Sequence, residues 1–182
     1  MTTEPRTSPP DRENASLESE NTVRWYVLHV HPRCEKKLAE FCRLQTYDHY
    51  LPLRSETKIY QRRKVTVEKP VFPGYIFTAF DDHGRVEILK TNNVVRILAT
   101  GNEPRLLREI DQIRKALLVD PTLTATLGLA TGTQVRITGG PFMGIEGVVR
   151  EIKGTAKVML NVDLIGQAVA VEVERGLIEV MD

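Results

Sequence analysis

Basic side chains are concentrated in one short stretch of the chain. Six fall within sixteen positions, and only two acidic residues, Glu56 and Glu68, stand among them. The basic residues are Arg54, Lys58, Arg62, Arg63, Lys64 and Lys69. If the middle of this stretch is the turn of a hairpin, three of these cations project beyond the domain, within reach of phosphate groups. A solvated run of surface charge is the alternative, and charge alone leaves both interpretations open.

An aromatic strand offers a second kind of chemistry. In the segment 74–80, Tyr75 and Phe77 alternate with Ile76 and Thr78, so the two rings share one face of the strand. The segment resembles the signature strand of an RNA-recognition motif, whose aromatic rings stack on bases. The pair would equally suit a hydrophobic pocket for a partner helix, or plain core packing. The pattern leaves these three interpretations open.

No arrangement of residues in the sequence indicates catalysis or metal binding. The glycines between positions 139 and 147 lack the Gly-Lys-Ser/Thr sequence of a phosphate-binding loop, and the turns of a barrel explain them better. His29, His31, Cys34 and His49 match no zinc-site spacing. A nucleophile elbow is also absent from the sequence. We therefore expect no catalytic residue, no metal and no cofactor.

Composition narrows the class of protein. The 182 residues suffice for one medium domain or two small ones, and no apolar run exceeds four residues, which argues against a membrane span or a secretory signal. Cys34 and Cys42 lie about 12 Å apart along a predicted helix, too far to form a disulfide. We expect a reduced, cytoplasmic protein.

The net charge of +1 hides an uneven distribution: −3 over residues 1–22, +6 over 23–130 and −2 over 131–182.

Strands and helices are mixed in the first part of the chain. Residues 2–22 contain almost no large apolar side chain and predict a disordered tail. Apolar periodicity then predicts strands at 25–30, 50–51, 74–80 and 94–99, with hairpin arms at 58–60 and 64–69 joined through 61–63. Helices are predicted after Pro32, over 85–90 and from Pro104. This mixture favours an α+β sandwich, with helices on a mostly antiparallel sheet.

The chain after residue 119 has a different composition and shorter predicted elements. Residues 120–131 are rich in Thr, Gly and Ala and predict a linker. Glycines then separate five short predicted strands at 135–138, 148–152, 156–162, 168–172 and 177–180. Short strands and tight turns without a helix are typical of a small five-stranded, SH3-like β-barrel. The predicted boundaries are a tail over 1–22, an N-terminal domain over 23–119, a linker over 120–131 and a C-terminal domain over 132–182.

Two sets of motifs resemble a known family. The runs 25–27 (WYV), 32–37 (PRCEKK) and 70–77 (PVFPGYIF) resemble the N-terminal domain of NusG-type transcription elongation factors. The runs 135–142 (VRITGGPF) and 144–149 (GIEGVV) resemble the KOW motif of their C-terminal barrel. The resemblance covers residues 23–182, with both domains in the expected order.

The resemblance implies a non-enzymatic factor that binds RNA polymerase and suppresses pausing and termination. A hydrophobic face would bind the clamp helices of the largest polymerase subunit. The matching residues are Phe72, Tyr75, Phe77 and Ile97. The hairpin cations Arg62, Arg63 and Lys64 would lie near upstream DNA or the non-template strand. The alternative function is an RNA-binding module, with the sheet aromatics stacking on bases and the KOW barrel adding contacts.

Within the family, the sequence is more similar to specialised paralogues, such as RfaH and the antiterminators of polysaccharide operons. The features are the start of the first helix at 32–37 and the compact hairpin turn at 61–64. Phe142 and Ile165 are the implied partner contacts of the KOW domain. The general factor has Phe-Gly-Arg in the loop that meets ribosomal protein S10 or Rho, where this chain has Ile165, Gly166 and Gln167. The barrel glycines also disfavour a switch to helix, since each costs about 1 kcal/mol there.

Overall fold

A computed structural model describes residues 22–151 and 155–181. The predicted tail, apart from Thr22, lies outside the described residues. The helices and strands are β1 (Arg24–Val30), α1 (Glu35–Leu44), β2 (His49–Tyr50), β3 (Leu53–Tyr60), β4 (Arg63–Pro70), β5 (Tyr75–Phe80), α2 (Asp82–Lys90), β6 (Val94–Ala99), α3 (Glu103–Val119), β7 (Ala125–Leu127), β8 (Thr133–Ile137), β9 (Glu146–Glu151), β10 (Thr155–Val162), β11 (Gln167–Glu174) and β12 (Ile178–Val180).

The first sheet has four antiparallel strands in the order β2-β5-β1-β6. Its two faces enter different clusters of buried side chains. Leu28 and Ile76 pack with Leu38 of α1 and Ile88 of α2. Val27 and the other face of β5 belong to the cluster that contains the apolar stripe of α3. Helices on both faces of a mostly antiparallel sheet agree with the predicted α+β class.

The helix boundaries follow from their caps. The Asp81 side chain accepts a hydrogen bond from the backbone N–H of Gly84 at 2.7 Å, which starts α2 three residues before the predicted position. Asn102 caps α3 in the same way, by accepting from the backbone N–H of Arg105 at 3.0 Å. Pro32 does not open α1 as expected, because it lies in the turn before the N-cap Cys34.

The apolar stripe of α3 is mostly confirmed. Ile113 is fully buried and Leu106 and Ile110 nearly so, whereas Leu118, which was predicted to share this stripe, is 81% exposed. Ala116 of the same helix is also fully buried, and it belongs to the cluster that contains Val27 and Phe77 of the first sheet.

The predicted hairpin is present, and it is longer than expected. Eight residue pairs join β3 to β4, from Leu53 opposite Pro70 to Tyr60 opposite Arg63, in a separate two-stranded sheet. The turn consists of Gln61 and Arg62, whose φ angles of 45° and 66° are typical of a two-residue type I′ turn.

All five strands predicted in the C-terminal domain are present, in a sheet ordered β12-β8-β9-β10-β11-β7. The sixth strand, β7, comes from the predicted linker, where Ala125 pairs with Val169 of β11. Within the described residues, no pairing joins β12 to β7, so the sheet does not close and the predicted five-stranded barrel is not shown.

Helix α3 also contacts this second sheet. The Gln112 side-chain oxygen accepts a hydrogen bond from the backbone N–H of Glu146 at 2.9 Å. The Glu109 carboxylate accepts one from the backbone N–H of Asp163 at 3.2 Å. Arg105 forms an ion pair with the Asp163 carboxylate. One helix therefore links the two halves of the molecule.

Candidate functional site

Three of the four residues predicted as a polymerase contact, Phe72, Tyr75 and Phe77, pack together with Tyr50 in what we call the aromatic cluster. Phe72 and Phe77 meet edge to face, with 6.3 Å between ring centroids, and the Tyr50 ring lies 6.5 Å from Phe77. Phe72 and Phe77 are 1% and 0% exposed. Neither ring is accessible in this conformation, so Phe77 is not available to stack on a base as an RNA-recognition strand requires.

Tyr75 is, like Tyr50, a partly exposed member of the cluster. Its ring stacks on His29 of the neighbouring strand at 5.1 Å between centroids. The turn before it is held by Glu35, whose buried carboxylate accepts a hydrogen bond from the backbone N–H of Gly74 at 2.8 Å. Gly74 has a φ of +84°, a conformation that favours glycine. The turn therefore fixes where Tyr75 enters the strand.

Ile97 does not join the other three residues. It lies directly opposite Leu28 in the β1–β6 pair, and residues that are directly opposite share a face of the sheet. Ile97 accordingly packs against the cluster beneath α1 and α2, whereas Phe77 lies opposite Val27 on the other face. A single flat partner surface would not touch both.

Sequence patterns did not identify the contact between α3 and this cluster. The Arg114 guanidinium lies 4.7 Å from the centre of the Tyr50 ring, a cation–π geometry. Burial raises the pKa of the Tyr50 hydroxyl, and the charge of Arg114 opposes that shift. A cation over an aromatic ring joins residues far apart in the chain, so only a covarying pair in related sequences would have signalled it.

Every residue of the hairpin tip, 59–65, is solvent-exposed. Within the described residues, no ion pair involves Arg62, Arg63 or Lys64. The structure therefore places all three predicted nucleic-acid contacts together, at the end of a projecting ribbon.

The base of the hairpin is electrostatically different. Glu56 accepts hydrogen bonds from Arg54 and Lys69, each at 2.9 Å, and the hydrogen bond from Lys69 is the main cause that lowers the pKa of Glu56. Lys58 also lies 3.6 Å from this carboxylate. At the base of the hairpin, Glu56 therefore partly neutralises the positive charges, whereas the cations at the tip have no acidic partner among the described residues.

The two residues predicted for a C-terminal partner are both partly buried. Phe142 and Ile165 pack against the core of the second sheet. Ile165 ends a single 3₁₀ turn, and Gly166 follows it with a φ of +64°, where a side chain would be strained. Met143, next to Phe142, is 68% exposed.

The histidines considered as metal ligands make other contacts. His49 is held by the backbone carbonyl of Tyr47 at 3.0 Å, and His29 stacks on Tyr75. The described part of the chain contains no group of three or more His, Cys, Asp or Glu residues arranged to hold a metal ion. Each helix between residues 22 and 181, outside the gap at 152–154, is too short or too polar to cross a bilayer.

Comparison with known proteins adds the family. The family model described as transcription termination factor nusG matches residues 23–115, just over half of the chain. Among the relatives are the transcription termination/antitermination proteins NusG of Staphylococcus aureus strains Mu50 and N315. Each is 28% identical over 173 residues, covering 86% of this chain and 94% of the relative. The matched region includes the aromatic cluster, the hairpin and most of the helices around them. Because the match covers more than half of the chain, the chain belongs to the NusG family.

Proposed function

We propose that this protein is a non-enzymatic, cytoplasmic transcription elongation factor that binds RNA polymerase and suppresses pausing and termination. The observation that carries the proposal is the family match over residues 23–115, since that region contains both the aromatic cluster and the basic hairpin. The relatives are named transcription termination/antitermination proteins, and suppression of termination is the direction proposed for this chain.

The polymerase contact is proposed at the aromatic cluster, with the clamp helices of the largest subunit as partner. Tyr75 is its partly exposed member, and the buried rings of Phe72 and Phe77 pack behind it in the same cluster. A partly exposed aromatic ring fixed on a sheet suits the side of a helix as one of the few spaced anchors through which a helix is recognised. Ile97 lies outside this surface because it belongs to the opposite face of the sheet.

The tip cations Arg62, Arg63 and Lys64 are proposed to contact upstream DNA or the non-template strand. Each phosphate contact releases counterions, so a few unpaired cations contribute substantially to binding. Held at two points, the factor would favour the closed, active polymerase over the paused one, and this difference in affinity is the whole of its action.

The C-terminal domain, proposed to be a KOW domain, is assigned to recruitment. Phe142 and Ile165 would contact ribosomal protein S10 or Rho, with Gln167 in place of a cation in that loop. Gln167 is almost fully buried, so it offers little surface to an acidic partner. This departure favours a specialised, operon-specific paralogue over the general factor.

Transcription in vitro through a pause and a terminator, with and without the protein, tests the activity directly. Tyr75→Ala should weaken polymerase binding about tenfold, the usual cost of losing an anchor residue. Leu44→Ala is the control, since this leucine is 64% exposed at the end of α1. Equal binding by wild type and a folded Tyr75→Ala variant would overturn the proposed face. Tight RNA binding without polymerase, abolished by Tyr75→Ala, would favour the RNA-binding module.

A further inference from the structure

Large apolar side chains accompany the cations at the hairpin tip. Ile59 is 73% exposed, Tyr60 71% and Val65 44%. Single exposed apolar residues are common on protein surfaces. Three within seven positions of a projecting hairpin form a small apolar patch, and such patches are typical of binding surfaces. A hairpin that served only as a solvated charge run would gain nothing from an exposed aromatic ring.

The strand register sorts these side chains onto two faces. Tyr60 lies opposite Arg63, and Lys58 lies opposite Val65. Because side chains alternate along a strand, these four residues share one face, and Ile59 is on the other. Tyr60 therefore shares its face with two cations: Lys58, two positions earlier on its own strand, and Arg63, directly across from it.

The charge around Tyr60 is complementary to a polyanion. The acidic residue on this face is Glu56, which already accepts hydrogen bonds from Arg54 and Lys69 and lies 3.6 Å from Lys58. Arg63 has no ion-pair partner among the described residues. A ligand that brings negative charge and a flat π surface would satisfy both kinds of group together.

We propose that Tyr60 stacks on an unpaired base of single-stranded DNA, while Lys58 and Arg63 contact the adjacent phosphates. Aromatic rings beside a basic track are the usual means of binding single strands without sequence preference. A duplex keeps its bases stacked on one another, so it would meet the cations without engaging the ring. The inference rests on the proposed function only in its choice of DNA as the strand.

Fluorescence anisotropy with the full chain tests this. The probes are an oligothymidylate of about 12 nucleotides and a duplex of equal length. Tyr60→Ala should weaken single-strand binding about tenfold and leave duplex binding unchanged. Tyr60→Phe should bind like wild type, because it keeps the ring. Ile59→Ala is the matched control, with equal exposure on the opposite face, and should have no effect.

The salt dependence separates stacking from charge. Tyr60→Ala should lower affinity without changing the salt slope, because every cation remains. Equal losses in Tyr60→Ala and Ile59→Ala would overturn the proposal, as would wild-type binding that does not prefer the single strand. Tighter binding of oligouridylate than oligothymidylate, with the same dependence on Tyr60, would overturn DNA as the ligand. None of these results affects the polymerase test through Tyr75, so the two proposals can fail independently.

Discussion

The carboxylate of Glu35 accepts a hydrogen bond from the backbone N–H of Gly74 at 2.8 Å. The bond joins the start of α1 to the turn that leads into β5, across 39 positions of the chain. Both segments carry motifs that resemble the NusG family. Their proximity indicates that these motifs share a structural task, which is to hold the turn next to Tyr75.

Glu35→Ala should reduce the free energy of unfolding by about 1–3 kcal/mol, because it removes the charged acceptor of a partly buried backbone N–H. Urea denaturation measures the change. Glu40→Ala is the control on the same helix, since its exposed carboxylate pairs with Arg43, and it should have a much smaller effect than Glu35→Ala. Equal effects of the two variants would show that the Glu35–Gly74 bond does not stabilise the fold.

The hairpin turn should be stabilised by replacing Gln61 with Asn and Arg62 with Gly. Both positions have positive φ, which costs a residue with a side chain roughly 1 kcal/mol, and Asn-Gly is the preferred type I′ pair. Amide hydrogen exchange of the hairpin should slow by about fivefold for each kcal/mol gained. Unchanged exchange would mean that the turn conformation is not strained in solution.

The partly buried carboxyl of Glu109 should make a contribution to the free energy of unfolding that decreases as pH rises. Burial raises its pKa, so the folded state favours the protonated carboxyl, with Asp163 and Arg105 as the nearest charged groups. Its stabilising contribution is complete below the unfolded pKa of about 4.3 and is lost as pH rises through the higher folded value. The difference in unfolding free energy between wild type and Glu109→Gln should therefore fall from pH 4 towards neutrality.

Glu87 provides a control of opposite sign for that titration. The hydrogen bond from Lys90 lowers its pKa, so its contribution is present above the unfolded pKa and lost as pH falls. The difference between wild type and Glu87→Gln should rise slightly with pH, since the pair is exposed. A rise for Glu109→Gln as well would contradict the assigned role of burial.

The two halves of the molecule should separate more readily when the polar contacts of α3 are removed. Arg105→Ala with Gln112→Ala deletes the ion pair to Asp163 and the hydrogen bond from Glu146. Small-angle X-ray scattering should then show a larger radius of gyration than wild type. Lys115→Ala, which removes only an exposed pair with Asp111 on α3, should leave the scattering unchanged. An unchanged radius in the double variant would indicate that apolar contacts alone hold the halves together.

Local patterns predicted most elements because their causes are local. Strand β6 matches its predicted bounds, since alternation and β-branched residues determine it within six positions. The strand at Ala125–Leu127 was not predicted, because it has little periodicity of its own and exists by pairing with β11. Leu118 follows the helical spacing of the stripe, yet no element among the described residues covers it.

For the candidate site, the sequence by itself determined the chemistry: which cations cluster between two strand arms, and which aromatic residues alternate along β5. Only the tertiary structure decided accessibility and grouping. It buries Phe77, leaves Tyr75 at the edge and turns Ile97 towards the opposite face, because strand register and helix packing depend on partners distant in the chain. Burial and register arise from pairs of segments, and a pattern within one segment does not contain them.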